Sequence, residues 1–276
     1  MRRAGLVVAD IHAALREAVR PGITTGELDA VSADVIARAG ARSNFLGYHD
    51  YPATVCISVN DEVVHGIPGQ RVLRAGDLVT FDCGAYISDD DGVQWHGDAA
   101  FTTVVGGSYA TDADRVLDTT TRRALWDAIA ALARGVAGDA GGRAGRLNVV
   151  GDAVEAAVAA TIEQEGVRLG ILEDYVGHGI GTAMHMAPDV LNYSVKRKGP
   201  RLRPGMVLAI EPMLTLGSAE VDELDDGWTV VTRDGARAAQ WEHTVALVPG
   251  GVWVLTDPDG GVEGLAPYGL QPRPLD

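Results

Sequence analysis

Between Leu6 and Val19 the apolar positions recur every three to four residues, the mark of an amphipathic helix. The same reading predicts helices over about residues 4–19 and 26–40, separated by Pro21-Gly22, with Thr24 and Glu27 spaced as a capping box. From about 53 to 106 the pattern changes to short apolar runs and alternation, which predicts strands. Helical spacing returns over 111–134 and 149–165, joined by a loop, Gly135 to Gly145, rich in Gly and Ala. Strand-like stretches resume from about 171 to 254, and the Pro- and Gly-rich tail from Asp257 is predicted to be irregular. Helices, strands, helices, strands: the order suits an α+β fold with internal pseudo-symmetry, although no sequence repeat is visible. At 276 residues the chain is long enough for one large domain with a sizeable core, and a single domain over 1–276, with 257–276 as its tail, is the expectation.

One segment carries far more information than its neighbours. It runs Tyr175-Val176-Gly177-His178-Gly179-Ile180-Gly181-Thr182-Ala183-Met184-His185-Met186-Ala187-Pro188-Asp189-Val190-Leu191-Asn192-Tyr193. Glycine on both sides of a histidine signals close approach of backbone or ligand, or a positive φ. A Gly-rich turn with incidental histidines is the bland alternative. The whole segment, however, resembles the signature of type I methionine aminopeptidases, dinuclear metallopeptidases with the pita-bread fold. The resemblance extends from about Ala4 to Val254, with specific matches around His65, His178, Glu211 and Glu242.

A dinuclear hydrolytic site needs carboxylates to hold two cations about 3.5–4 Å apart. Four acids adjoin apolar, strand-like stretches: Asp82 in Val79-Thr80-Phe81-Asp82, Asp98 before Ala99-Ala100-Phe101, Glu211 after Leu208-Ala209-Ile210, and Glu242 before Thr244-Val245-Ala246. Any one of the 38 acidic residues is more often a solvated charge or a cap. In apolar surroundings an ionised carboxylate is costly unless paired or bound to metal. The resemblance implies that Asp82 chelates one divalent ion, that His178 and Glu211 chelate the other, and that Asp98 and Glu242 bridge both. Such a hard donor set suits Mn, Fe(II) or Co, with Zn also possible.

By the same resemblance, His65 contacts substrate near its first peptide bond and His185 hydrogen-bonds the scissile carbonyl oxygen or the tetrahedral intermediate. Glu211 is implied as general base or proton shuttle. Tyr48, Tyr51, Cys56 and Trp228 are implied as walls of a methionine pocket, while Phe45 and Met184 stand where the family commonly has other residues. His96 and His243 are expected to orient groups beside the ligands, Cys83 to pack, and His12 to be solvated on its helix. The 16 positions between Asp82 and Asp98 exceed the expected hairpin, and the acidic stretch Asp89-Asp90-Asp91-Gly92 reads as a longer solvated turn.

Composition narrows the partners. A net charge of −15 disfavours a non-specific nucleic-acid binder, which needs Lys and Arg against phosphates. The apolar stretches are too short for a membrane span, and no signal-peptide cleavage pattern follows Met1. Two cysteines without CxxC spacing make neither a disulfide framework nor a structural zinc site. The expectation is a monomeric cytoplasmic enzyme acting on the N-termini of nascent polypeptides whose second residue is small, with transient ribosome contact and no specific nucleic-acid or membrane partner. Two alternatives stay open: another pita-bread peptidase, such as an Xaa-Pro aminopeptidase or dipeptidase, and a non-catalytic homologue that binds RNA or protein.

Overall fold

Thr24 and Glu27 close their predicted box: the Thr24 backbone N–H donates to Glu27 Oε2 at 2.8 Å and the Glu27 N–H to Thr24 Oγ1 at 3.1 Å. That box starts α2 (Thr25–Arg38), which follows α1 (Arg2–Ala18). The computed structural model describes residues 1–138 and 144–275. After α2 come β1 (Arg42–Ser43), β2 (Val55–Val59), β3 (Glu62–Val64) and a long hairpin of β4 (Leu78–Ser88) and β5 (Gln94–Val104). The second half opens with α3 (Asp112–Ala137) and α4 (Val149–Glu165). It continues through β6 (Gly170–Ile171), β7 (Gly177–Gly179), β8 (Met186–Val190), β9 (Val207–Ile210) and β10 (Met213–Thr215). Then follow β11 (Val221–Glu223), β12 (Val230–Thr232), β13 (Ala238–Gln240), β14 (His243–Val248), β15 (Gly251–Val254) and α5 (Val262–Leu265).

Each half is a helix pair laid on antiparallel strands. The apolar faces of α1 and α2 meet β2, β4 and β5 in a core that contains Val8, Ile11, Leu15, Leu28, Phe81 and Phe101. Likewise α3 and α4 cover β9, β14 and β15 through Leu125, Ile129, Leu132, Val150, Val154, Leu208 and Val245. Trp241, half-buried, packs against both cores. The paired helix-on-sheet units give physical form to the α+β reading and its pseudo-symmetry.

Three local expectations need correction. α3 continues through Gly135 to Ala137, so the predicted Gly/Ala loop starts later, and residues 139–143 lie outside the described residues. The tail is not wholly irregular, because α5 lies within it and fully buries Leu265 against the second core. His12 is not solvated. It lies one turn beyond Val8 on the inward face of α1, where its Nε2–H donates to the Ala99 carbonyl at 3.0 Å and its ring meets Phe101 edge-on at 4.6 Å.

Burial, helped by the nearby Arg16 charge, pushes the His12 pKa from 6.5 down to about 3. The unfolded chain can therefore take up a proton in that window that the folded protein refuses. Compared with a His12→Phe variant, the wild-type protein should lose stability as pH falls below 6.5 toward about 3. The expected slope is up to about 1.4 kcal/mol per pH unit in urea titrations. Parallel pH profiles for the two proteins would show that His12 is not held neutral.

Candidate active site

The β4–β5 register pairs Asp82 with Ala100 and Gly84 with Asp98, so the two acids lie diagonally on one face of the hairpin. Thr80 and Thr102 continue that face and hydrogen-bond each other at 2.8 Å. The opposite face carries Phe81, Cys83, Ala85, Ala99 and Phe101 into the first core, which accounts for Cys83 as a packing residue. Strand alternation alone separates the polar set from the apolar one. At the hairpin tip Asp89 accepts from the Asp91 and Val93 backbone N–H groups and from Trp95 Nε1, so it closes the turn.

The second half supplies its acids from an interrupted ladder. β9 pairs with β14 and β10 with β13 in one continuous register, Leu208 opposite Val245 and Met213 opposite Gln240. Between these pairs the ladder breaks at Glu211-Pro212 and Trp241-Glu242, where continuing the register sets Glu211 across from Glu242. Pro212 has no N–H to give. The Glu242 N–H turns instead to the Ala100 carbonyl of β5 at 2.9 Å, and Asn192 Nδ2 donates to the Glu211 carbonyl at 3.1 Å. Thr244 strengthens the join, since its hydroxyl donates to the Asp98 carbonyl at 2.7 Å and accepts the Asp98 N–H at 3.0 Å. The two halves meet where their carboxylates converge.

His178 enters from β7, between β8 and β9. A Cβ on Gly177 would collide with the Ala209 carbonyl oxygen, and one on Gly179 with that of Ala187. Neither glycine has a positive φ, so close strand approach explains both. His178 Nδ1–H donates to the Gly179 carbonyl at 2.9 Å, because that oxygen can only accept. The lone pair is thereby left on Nε2, 3.6 Å from Glu211 Oε1. Burial pushes the His178 pKa down to about 4, so this approach is a convergence of two donor atoms rather than an ion pair.

Desolvation pushes the Asp82 pKa up to about 7. It raises Asp98, Glu211 and Glu242 well above the ordinary carboxylate range, with mutual repulsion among these acids adding to the effect. Asp82 Oδ1, Asp98 Oδ1 and Glu242 Oε1 are buried without a hydrogen-bond partner. Buried orphan acceptors of this kind are rare in native proteins. Donor atoms of Asp98, His178 and Glu242 lie within 4.8 Å of one another. Orphaned carboxylate oxygens beside an imidazole lone pair match what divalent cations require, so the residues present fit a metal centre.

A cavity of about 560 Å³ opens on this cluster. It is lined by all five predicted ligands and by His65, His185, Tyr48, Tyr51, Cys56 and Trp228. On one side Phe45, Tyr51, Ala53, Cys56 and Met184 form an apolar cluster, with Ile67 and Trp228 packed against it. The Tyr51 hydroxyl donates to the Gly66 carbonyl at 2.9 Å, so its ring, not its hydroxyl, is the pocket feature. His65 has φ +60° and faces Trp228 and Tyr175 edge-on, at 5.8 and 5.4 Å. Such a backbone is strained for a residue with a Cβ and is characteristic of functional sites. His96 and His243 do not line this cavity: His96 bonds Asn44 Oδ1 at 2.8 Å, and His243 turns to Thr256 and Trp126 on the reverse face.

Gln240 and Tyr175 also line the cavity without having been singled out in the sequence. Gln240 Nε2 donates to Glu211 Oε2 at 3.3 Å. Its position two residues before Glu242 was the available signal, since period-two alternation puts both on one face. Tyr175 had no comparable signal, because loop geometry brings it to His65.

The family model for metallopeptidase family M24 matches residues 1–249, and the chain belongs to that family. It is a metal-dependent hydrolase of the type I methionine aminopeptidase kind. Methionine aminopeptidase 1 of Mycobacterium tuberculosis is 48% identical over 257 residues, covering 93% of this chain and 91% of the relative. Methionine aminopeptidase 1 of Bacillus subtilis is 40% identical, with 93% and 94% covered. The crystal structure of methionine aminopeptidase from Thermotoga maritima superposes with a TM-score of 0.80 at 35% identity, covering 93% of this chain and 95% of that one. Prolidase from Pyrococcus furiosus, at 20% identity and a TM-score of 0.64, shares the fold.

Adding Mn(II) to chelator-treated protein should raise its melting temperature by roughly 5–10 °C at a hundredfold excess over Kd. A Glu242→Gln variant should melt higher than the wild type without metal, because one of four crowded carboxylates is gone, and should gain little when metal is added. Equal metal-induced shifts in the two proteins, read by scanning fluorimetry, would remove Glu242 from the ligand set.

Proposed function

We propose that this enzyme removes the amino-terminal methionine from nascent polypeptides whose second residue is small, by hydrolysis of the first peptide bond. The observation that carries this reading is the apolar pocket of Phe45, Tyr51, Cys56, Met184 and Trp228 opening directly onto the carboxylate–histidine cluster. Polarizable and aromatic walls suit a thioether side chain. Asp82, Asp98, His178, Glu211 and Glu242 would hold two divalent cations, which would supply Lewis acidity and make water easier to deprotonate. Within that site Glu211 takes the proton from the attacking water and passes it toward the leaving amine. Gln240 holds the Glu211 carboxylate by its other oxygen. His185 donates to the carbonyl oxygen as charge develops there, and His65 contacts the substrate near its first peptide bond. The second residue then lies between His65 and His185, and a long side chain there displaces the carbonyl. A misplacement of about 1 Å can cost on the order of a hundredfold in rate.

The whole chain acts as one catalytic domain, monomeric and cytoplasmic in this reading. Among the described residues no helix is long and apolar enough to cross a membrane. A transient ribosome contact is supported by charge distribution. Both lysines of the chain, Lys196 and Lys198, flank Arg197. Arg197, Lys198 and Arg146 line a second cavity that shares Ala187 and Asp189 with the catalytic one. A basic mouth on a chain of net charge −15 suits phosphate-rich RNA.

Peptide hydrolysis tests the function. Met-Ala-Ser should be cleaved rapidly in metal-loaded protein, Met-Arg-Ser about a hundredfold more slowly, and an Ala-Pro peptide hardly at all. Asp98→Ala and Glu242→Ala should each abolish turnover. Preferential cleavage of the Ala-Pro peptide would instead establish a proline-specific peptidase. Reversing charge at Arg197 and Lys198 should weaken co-sedimentation with ribosomes at low salt and leave Met-Ala-Ser turnover unchanged. Undiminished sedimentation would sink the contact assigned to this face.

A further inference from the structure

The Tyr48 hydroxyl lies 2.9 Å from His185 Nδ1, and neither atom has another hydrogen-bond partner among the described residues. Tyr48 is held in place by its own loop. The Gly47 N–H donates to the Tyr51 carbonyl, the Tyr48 N–H to that of Phe45, and the Tyr51 N–H to that of Tyr48. Gly47, His49 and Asp50 all have positive φ, at +83°, +44° and +65°. For the two non-glycine residues this conformation is costly and persists only where surrounding bonds over-determine it. The result is a fixed phenol at the edge of the cavity, aimed at a ring nitrogen.

We propose that Tyr48 is a positioning residue: its hydroxyl donates to His185 Nδ1, which places the His185 proton on Nε2 and turns that N–H toward the scissile carbonyl. The role assigned to His185, and with it the direction of the bond, rests on the peptidase reading, whereas the contact between the two groups rests on the geometry alone. A neutral imidazole carries a single N–H. The two possible arrangements then have opposite consequences. With the phenol as donor, Nε2–H can stabilise a developing oxyanion. With Nδ1–H as donor, Nε2 would present its lone pair to that oxyanion and repel it.

His178 offers the contrast. Its ring meets that of His185 at 4.4 Å and 88°, and the Gly179 carbonyl keeps its proton on Nδ1. Two touching imidazoles are thus set to opposite tautomers, one by a carbonyl that can only accept and one by a phenol that donates. The first exposes a lone pair to cations and the second exposes a proton to substrate. Tyr48 therefore does more than wall the pocket.

The tautomer can be read directly in protein labelled with 15N-histidine and loaded with diamagnetic Zn(II), through long-range 1H–15N couplings. Wild-type His185 should show an Nε2-protonated ring with Nδ1 as a hydrogen-bonded acceptor, and Tyr48→Phe should lose the acceptor signature. On Met-Ala-Ser, Tyr48→Phe should lower kcat by about tenfold with KM nearly unchanged. Adding it to His185→Ala should cost nothing further. An Nδ1-protonated His185 in the wild-type protein would overturn the proposal whether or not the enzyme cleaves methionine. So would full additivity of the two substitutions, which would leave Tyr48 as a pocket wall only.

Discussion

Four carboxylates buried together repel one another, and nearly everything near the centre of this molecule accommodates that fact. Asp82, Asp98 and Glu242 each keep a buried oxygen with no partner. A charge in such surroundings is tolerable only when neutralised, by protons or by cations. The backbone around them is correspondingly well satisfied: the Asp98 amide and carbonyl both bond Thr244, and the Glu242 amide bonds Ala100. At the cluster the backbone of Asp98 and Glu242 is paired while carboxylate oxygens stay unpaired, which suits a site for an ion.

The interrupted ladder is how the fold delivers this. Continuous pairing through Glu211 and Glu242 would have locked both strands into one flat sheet. Pro212 and the diverted amide of Glu242 break it, and β5 of the other half takes up the freed bond. The site is therefore built from a hairpin face on one side and a gap in a ladder on the other. Its apolar wall comes from a third source, the strained loop that precedes Tyr51.

The five proposed ligands, which the fold brings to one cavity, stand out in the sequence because acids flanking apolar strand-like runs are conspicuous, and because His178 is boxed by glycines whose reason is steric. The helices were legible through periodicity and caps, within a few residues. His12 was misjudged because a polar residue one turn from Val8 can face either way, and only packing against Ala99 and Phe101 decides it. The reach of α3 past Gly135 was hidden because glycine weakens a helix without ending it. His243 adjoins Glu242, and adjacent strand residues point to opposite faces, so it turns to Thr256. His96 shares the Asp98 face two residues away but is taken up by Asn44. Tyr48 was legible as a wall; its bond to His185 spans 137 positions and no local pattern announces it.

The seam divides the proposed ligands unequally along the chain, with Asp82 and Asp98 in one helix-on-sheet unit and His178, Glu211 and Glu242 in the other. Neither unit alone presents a complete cluster. During synthesis the proposed ligand nearest the carboxyl end, Glu242, emerges after the other four. A partly translated chain can thus bury its first core and still lack hydrolytic power. Competence arrives only when the last strands close against the first hairpin, so assembly of the halves and the onset of catalysis are one event.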